Sequence, residues 1–372
     1  LPLPELLLRW RDRRLADPAF QHRAGQFPLT RPIARQRAAS LFDITAGFVY
    51  SQVLAACVQL NLFERLATGP RPVADLASEL GIEPDRLRRL LRAAESLQLL
   101  QQRGDDRYGL GDLGAASLGN PGIAAMVRHH QQLYRDLADP VALLRGEQQS
   151  QLAAFWPYAE SAAGAADDYS ELMAASQAFL IREILAAFPL RHFEYLWDIA
   201  GGDGSFAAAA LKRWPDLRAT VMDLPAVADR ARARFEREGL AERASALGGD
   251  LLENRLGHDL EAPDWLPQGP RPQLAERSGP NLVSLIRVLH DHDDEPALAL
   301  LRALRASWPR GARLLIAEPM AETRQARPMG HAYFGFYLMA MGSGRPRSLQ
   351  ELRVLLERAG FTHGREVRTG QP

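Results

Sequence analysis

Asp198-Ile199-Ala200-Gly201-Gly202-Asp203-Gly204 closes an apolar run, residues 193–199, and opens a helical segment. Glycines at such a junction let the backbone turn sharply and approach a ligand closely. Outward from this loop, short apolar runs alternate with helical stretches. Strands are expected at 193–199, 219–223, 244–247, 281–289 and 313–317. That alternation is the mark of an α/β protein with a parallel, Rossmann-like sheet, here occupying residues 193–372. The proline-rich stretch 255–280 reads as an inserted surface loop.

Read as Gly202-x-Gly204-x-x-Ala207, the loop mimics a dinucleotide fingerprint, with Asp223 about 20 residues onward for a ribose hydroxyl. Charge argues against that ligand. Asp198 and Asp203 would set two carboxylates beside a pyrophosphate, and like charges at that range are costly. A ligand with a ribose, no phosphate and a positive charge suits these residues better, and S-adenosylmethionine has that description. Asp223 then serves the ribose, Asp250 the adenine amine, and Leu251 covers the adenine ring. A glycine-rich turn that holds nothing is the plain alternative.

Arg287-Val288-Leu289-His290-Asp291-His292-Asp293-Asp294-Glu295 follows the fourth strand, at the carboxyl edge where open α/β sheets bind ligands. His290-x-His292-x-Asp294 has the spacing of a two-metal loop, but Glu295 stands where another His would continue it. The other histidines complete no ligand set, so no metal is expected. As a general base, an imidazole with a pKa of about 6.5 can take a proton near neutrality. Glu318, at the end of the fifth strand, projects at the same edge and could hold its tautomer. A strand-end His in a solvated acidic turn is the bland reading of the same residues.

The chain has 372 residues, 47% hydrophobic and 24% charged, enough for two or three domains. Its 45 basic and 45 acidic residues balance, so no global charge favours nucleic acid. The lone cysteine, Cys57, excludes a disulfide framework and fits a reducing, cytoplasmic compartment. No uninterrupted apolar run reaches the ~18–20 residues of a membrane span. Residues 1–40 carry eight Arg against Glu5, Asp12 and Asp17, and Leu3, Leu6, Leu7 and Trp10 form a helical stripe. That segment suits either an anionic membrane surface or a packed interface. Residues 41–118 read as a winged-helix unit, with helices at 73–80 and 85–97 and a wing around Arg103-Gly104-Asp105-Asp106. Arg86, Arg88, Arg89 and Arg92 invite a DNA-recognition reading, which Asp75, Glu79, Glu83, Asp85 and Glu95 largely cancel. A dimerisation module is preferred. Residues 119–192 are mostly helical, a linker contributing to dimer and pocket.

Taken together, these motifs resemble the plant-type and microbial S-adenosylmethionine-dependent O-methyltransferases. The resemblance rests on the order of 198–204, Asp223-Leu224-Pro225, Gly249-Asp250 and Arg287–Asp291, behind a winged-helix dimerisation module. It covers roughly residues 40–372. It implies a homodimer in which Asp198, Gly201, Asp223, Asp250, Leu251 and Arg287 hold the donor. It also makes His290 the base, flanked by Glu318 and Asp291, and Tyr158 an aromatic reaching the donor. Within the family, residues 27–33, 46–52 and 119–123, together with His292, look most like bacterial carotenoid 1-hydroxy O-methyltransferases. The implied acceptor is a hydroxylated carotenoid, with the enzyme cytoplasmic or resting on the photosynthetic membrane. Phe334, Tyr337 and Met341, on an apolar helical face with Tyr333 and Leu338, are expected to line the acceptor pocket, although core packing explains that face equally well. A phenol or indole methyltransferase would share every donor-site residue, and a winged-helix DNA regulator also stays open. Three departures from the family pattern stand out. Ala200 replaces a loop glycine, a mild change if its φ is negative. Pro346 stands where many relatives have a second glutamate, and the chain stops at Pro372, before the last strand expected of the fold.

Overall fold

The computed structural model describes residues 3–154, 177–249, 281–307, 311–324, 326–362 and 364–370. The chain divides into two units, Leu1–Gly119 and Asn120–Pro372.

In the first unit, three helices, Leu3–Ala16, Pro18–Gln26 and Arg31–Gln59, precede a small winged-helix fold. Pro sits in the first turn of the second and third, where its missing N–H costs nothing. The third helix runs 29 residues, so the segment boundary read at 40/41 falls inside it. An 18-residue window of it has a mean hydropathy of 1.6, long and apolar enough to cross a membrane by composition. The requirement for an uninterrupted apolar run missed it, because Thr45, Gly47, Ser51 and Gln52 punctuate the stretch. Helix Val73–Leu80 ends at Gly81, whose φ of 64° provides a left-handed stop. Helix Pro84–Ser96 follows, with Glu83 accepting from the Arg86 amide and Leu87, Leu91 and Ala94 buried on one face. The wing is an antiparallel sheet of β1 (Arg71–Pro72), β2 (Leu100–Gln102) and β3 (Arg107–Leu110) in the order β1-β3-β2. Arg88 is bound by Asp106 of the wing and by Asp85, and Arg65 and Arg71 share Glu79. These arginines are spent on the unit's own carboxylates.

The second unit is built on five parallel strands: β4 (Tyr195–Ile199), β5 (Arg218–Asp223), β6 (Ala244–Gly248), β7 (Asn281–Ile286) and β8 (Arg313–Ala317). Their order is β6-β5-β4-β7-β8, with Asp198 in register with Val221 on one side and Ser284 on the other. Side chains alternate across the sheet. Leu196, Val221 and Leu282 pack with Phe206, Leu211 and Phe235 on one face. Trp197, Ile199 and Leu285 pack with Leu298, Leu301, Leu352 and Leu355 on the other. β7 stops three residues before the expected end, because Arg287 adopts φ 59° and Leu289–Asp291 form a 3-10 turn. The strand order reverses between β5 and β7 around β4, which opens the crevice where such sheets hold ligands.

Candidate active site

The loops after β4 and β7 flank that crevice. At the end of β4, buried Asp198 accepts a 2.6 Å hydrogen bond from Ser284 Oγ through Oδ1. Its Oδ2 is buried with no hydrogen-bond partner among the described residues. Burial pushes this carboxyl up to about 7; the Ser284 bond opposes that rise, and the charges of Asp223 and Asp203 add to it. A Cβ on Gly201 would lie 2.6 Å from Asp198 Oδ2, so only glycine lets the loop fold over the carboxylate. Gly204, at φ +75°, would bring a Cβ to 2.8 Å from the Phe235 ring. Asp223, ending β5, accepts from the amides of Gly202 (2.7 Å) and Leu224 (2.8 Å). Burial raises its carboxyl, and those two bonds oppose the rise.

Two expectations about this loop are corrected. Asp203 does not offer its charge to a ligand. Its Oδ1 accepts from the Ser205 amide at the start of the following helix, and its carboxylate is paired with Arg234. Ala200 has φ 50°, not a negative value, a left-handed conformation that a Cβ disfavours. The carboxylates left to a ligand are Asp198 and Asp223. Neither forms an ion pair among the described residues, so a cationic group is the partner that would relieve them. The loop therefore fits a sulfonium and ammonium bearing a ribose, and disfavours a pyrophosphate. Asp250, Leu251 and Tyr158 lie outside the described residues. Arg287 is at the end of β7, its amide donating to Ala317 O at 2.8 Å across the sheet edge.

His290 is buried on the 3-10 turn after β7. Its Nδ1 donates to Glu318 Oε2, and the other oxygen of Glu318 accepts from the amides of Val288 (3.0 Å) and Leu289 (2.8 Å). A carboxylate pinned in this way puts the hydrogen on Nδ1 and leaves the neutral ring's lone pair on Nε2. Asp291 Oδ1 lies 3.1 Å from Nε2. Burial pushes the Asp291 carboxyl up, with the charges of His290 and Arg287 opposing. The three residues expected to carry the chemistry are thus assembled around one imidazole. The alternative metal set is not, because Asp294 is bound to Arg345 and Arg347. Among the described residues, no cluster of three His, Cys, Asp or Glu is arranged to hold an ion.

Arg347 was not foreseen. It is buried and donates to Leu289 O (2.6 Å), His292 O (2.7 Å) and Asp294 Oδ1 (2.9 Å), clamping the turn that carries His290. Gly344 packs against the same turn, where a Cβ would fall 2.1 Å from His290 O. The visible signal was Gly344-Arg345-Pro346-Arg347 ahead of the Ser348–Glu351 capping box. On the third side, a π-helical segment, Pro328–Phe334, runs into the helix Gly335–Met341. Gly330 presses on the loop after Glu318, with Met320 O 2.5 Å from its virtual Cβ. This sets the Phe334 ring edge-on to His290, 6.3 Å between centroids. Tyr337 lies on the same wall, 6.5 Å from Phe334. Met341 does not join them. It is buried with Leu133, Leu143, Leu152 and Leu338, a core against which Tyr333 and Tyr337 also pack.

Comparison with known proteins bears on the fold and the family. The O-methyltransferase domain profile matches residues 134–260 and 278–362, and the O-methyltransferase dimerisation domain matches 42–120. The chain is 40% identical over 348 residues to the demethylspheroidene O-methyltransferase of Cereibacter sphaeroides, covering 92% of this chain and 86% of that one. Against the Rhodobacter capsulatus protein of the same name it is 39% identical over 353 residues, covering 93% and 83%. Among solved structures, a mitomycin 7-O-methyltransferase superposes with a TM-score of 0.71 at 25% identity, covering 91% of this chain and 96% of that one. Human N-acetylserotonin methyltransferase, solved with S-adenosylmethionine, shares the fold with a TM-score of 0.67 at 24% identity, covering 88% and 92%. With similarity of this extent across both units, the chain belongs to the family of S-adenosylmethionine-dependent O-methyltransferases.

Proposed function

We propose that this enzyme methylates the tertiary hydroxyl of an acyclic hydroxylated carotenoid, with His290 as general base. The observation that carries the mechanism is the imidazole held by Glu318 at Nδ1 and facing Asp291 at Nε2, beside an aromatic wall. The substrate class is supported by the names of the two bacterial relatives near 40% identity, both demethylspheroidene O-methyltransferases.

Bound S-adenosylmethionine supplies an electrophilic methyl on a sulfonium, which leaves as a neutral thioether. Asp198 and Asp223 would hold the cationic donor by charge, and Gly201 lets the loop fold over the Asp198 carboxylate. A tertiary alcohol is too weak an acid to ionise first, so proton removal accompanies attack. The hydroxyl meets His290 at Nε2, beside Asp291, and Nε2 takes its proton as the O–C bond forms and the C–S bond breaks. Glu318 then faces an imidazolium, whose charge it stabilises. Alignment of oxygen, carbon and sulfur supplies most of the rate.

The dimerisation domain supports a homodimer. Residues 1–20, with exposed Leu6, Leu7, Leu8 and Trp10 among arginines, give the enzyme a means of resting on an anionic membrane that holds its acceptor. Deleting them should weaken binding to anionic liposomes, and unchanged binding would reject the membrane role. The test of function is mass spectrometry with isotopically labelled donor and three acceptors: a 1-hydroxy carotenoid in detergent, a catechol and a hydroxyindole. Label on the carotenoid is expected, with His290→Ala lowering kcat by about 10²–10⁴. Label on a phenol alone would keep the donor site and discard the carotenoid.

A further inference from the structure

The helix Pro121–Asp136 carries two consecutive histidines that meet the aromatic wall of the site. His129 Nε2 lies 2.8 Å from Tyr337 Oη, and His130 Nε2 lies 2.8 Å from Tyr333 Oη. The two tyrosines, one helical turn apart, stack at 6.0 Å and 22°. Phe334 stands edge-on to Tyr333 at 5.0 Å and to His290 at 6.3 Å. An unbroken run of rings therefore joins the base to the histidine pair.

The charge states favour a neutral hydrogen-bonding chain. Burial lowers His129 to about 4, helped by the charge of His130, and burial lowers His130 as well. Burial pushes Tyr337 up to about 12, with Arg287 opposing and Asp291 adding. Its hydroxyl thus stays protonated and feels two residues of the catalytic loop. A phenol oxygen has one hydrogen and two lone pairs, and the contact with His129 uses one of these.

An alcohol held only at His290 Nε2 can pivot about that bond, whereas attack needs one lone pair aimed along the methyl–sulfur axis. We propose that Tyr337, oriented by His129, donates a hydrogen bond to the acceptor's hydroxyl oxygen beside His290. In this arrangement His129 Nε2–H donates to Tyr337 Oη, and Tyr337 O–H donates to the acceptor. The acceptor's own hydrogen goes to His290 and its remaining lone pair to the methyl carbon. Tyr337 is then a binding residue and His129 a positioning residue. The inference rests on the proposed alcohol acceptor.

The test compares affinities for a 1-hydroxy carotenoid and for the parent hydrocarbon lacking the hydroxyl, with S-adenosylhomocysteine present. Wild type, Tyr337→Phe, His129→Phe and His129→Gln are measured. The wild type should prefer the alcohol by up to about a hundredfold, the scale of two neutral hydrogen bonds, one to His290 and one from Tyr337. Tyr337→Phe and His129→Phe should cut that preference about tenfold, the share of one bond, and leave hydrocarbon affinity unchanged. His129→Gln, whose amide N–H can still donate, should retain most of it. A structural role alone would weaken both ligands equally and would overturn the proposal, as would an undiminished preference in Tyr337→Phe. Label transfer by the wild type, run alongside, separates the two readings. Transfer to the alcohol with preference kept in Tyr337→Phe rejects Tyr337 alone, and no transfer to any alcohol rejects the acceptor and Tyr337 together.

Discussion

At the scale of single residues, Ala200 is held at φ 50° inside the donor loop. A left-handed non-glycine residue costs about 1–2 kcal/mol, and glycine gives part of this back as unfolded-state entropy. Ala200→Gly should therefore raise stability by about 0.5–1 kcal/mol, read as a shifted urea midpoint with unchanged slope. Asp198 makes a pH prediction. Its folded carboxyl titrates near 7 against an ordinary 3.8, so between those values the folded chain keeps a proton that the unfolded chain has lost. The stability this group contributes is present below about pH 4 and is lost as pH rises through 7. A cationic donor favours the ionised carboxylate, so calorimetric donor affinity should rise by up to about tenfold from pH 6 to 8. Asp198→Asn should weaken binding and flatten that slope. Asp198, Gly201 and Asp223 were legible in the sequence because glycine and carboxylate carry their chemistry in their type. The sign of φ at Ala200 and the Arg234 partner of Asp203 were not, since both depend on what the loop packs against.

At the scale of elements, the turn that carries His290 and its Glu318 partner are flanked by glycines that admit close contact. Gly330 lets the π-helical segment rest on Met320 and Ala321, just beyond Glu318. Gly330→Ala would need Met320 O to give way from 2.5 Å, moving Phe334 relative to His290. A loss of about 1–3 kcal/mol in thermal stability is expected, together with a lower kcat at unchanged donor affinity. A fall in stability with full kcat would mean that Phe334 does not shape the site. Four of the five strands were read to within two residues, since each is an apolar run between turn signals. β7 ends short of the expected residue 289, although Val288 and Leu289 are apolar, because the chain turns left-handed at Arg287. Met341 shares its helical face with Tyr337 by spacing, and it is buried in the core around Leu133 and Leu152 against which Tyr337 packs only in part.

At the scale of the molecule, the first unit leaves Leu41, Phe42, Ile44, Phe48 and Val49 exposed along one 29-residue helix. Apolar side chains gathered in this way mark an interaction surface, and the dimerisation profile begins at residue 42. Phe48→Glu should shift the sedimentation of the enzyme from dimer toward monomer by at least about tenfold in Kd, since a charge in a buried interface must be desolvated. Sedimentation identical to wild type would place the dimer contact elsewhere.

Residue type and spacing along short stretches already carry the parallel sheet, the glycine loop after its first strand, the meeting of His290 with Glu318 and the family. Packing between distant segments settles how their charges and rings are shared. It turned Asp203 to Arg234, brought Arg347 under the His290 turn from 58 residues away, and paired His129 with Tyr337 across 208 residues. Partnerships of that range depend on which elements pack together, and no local pattern records them.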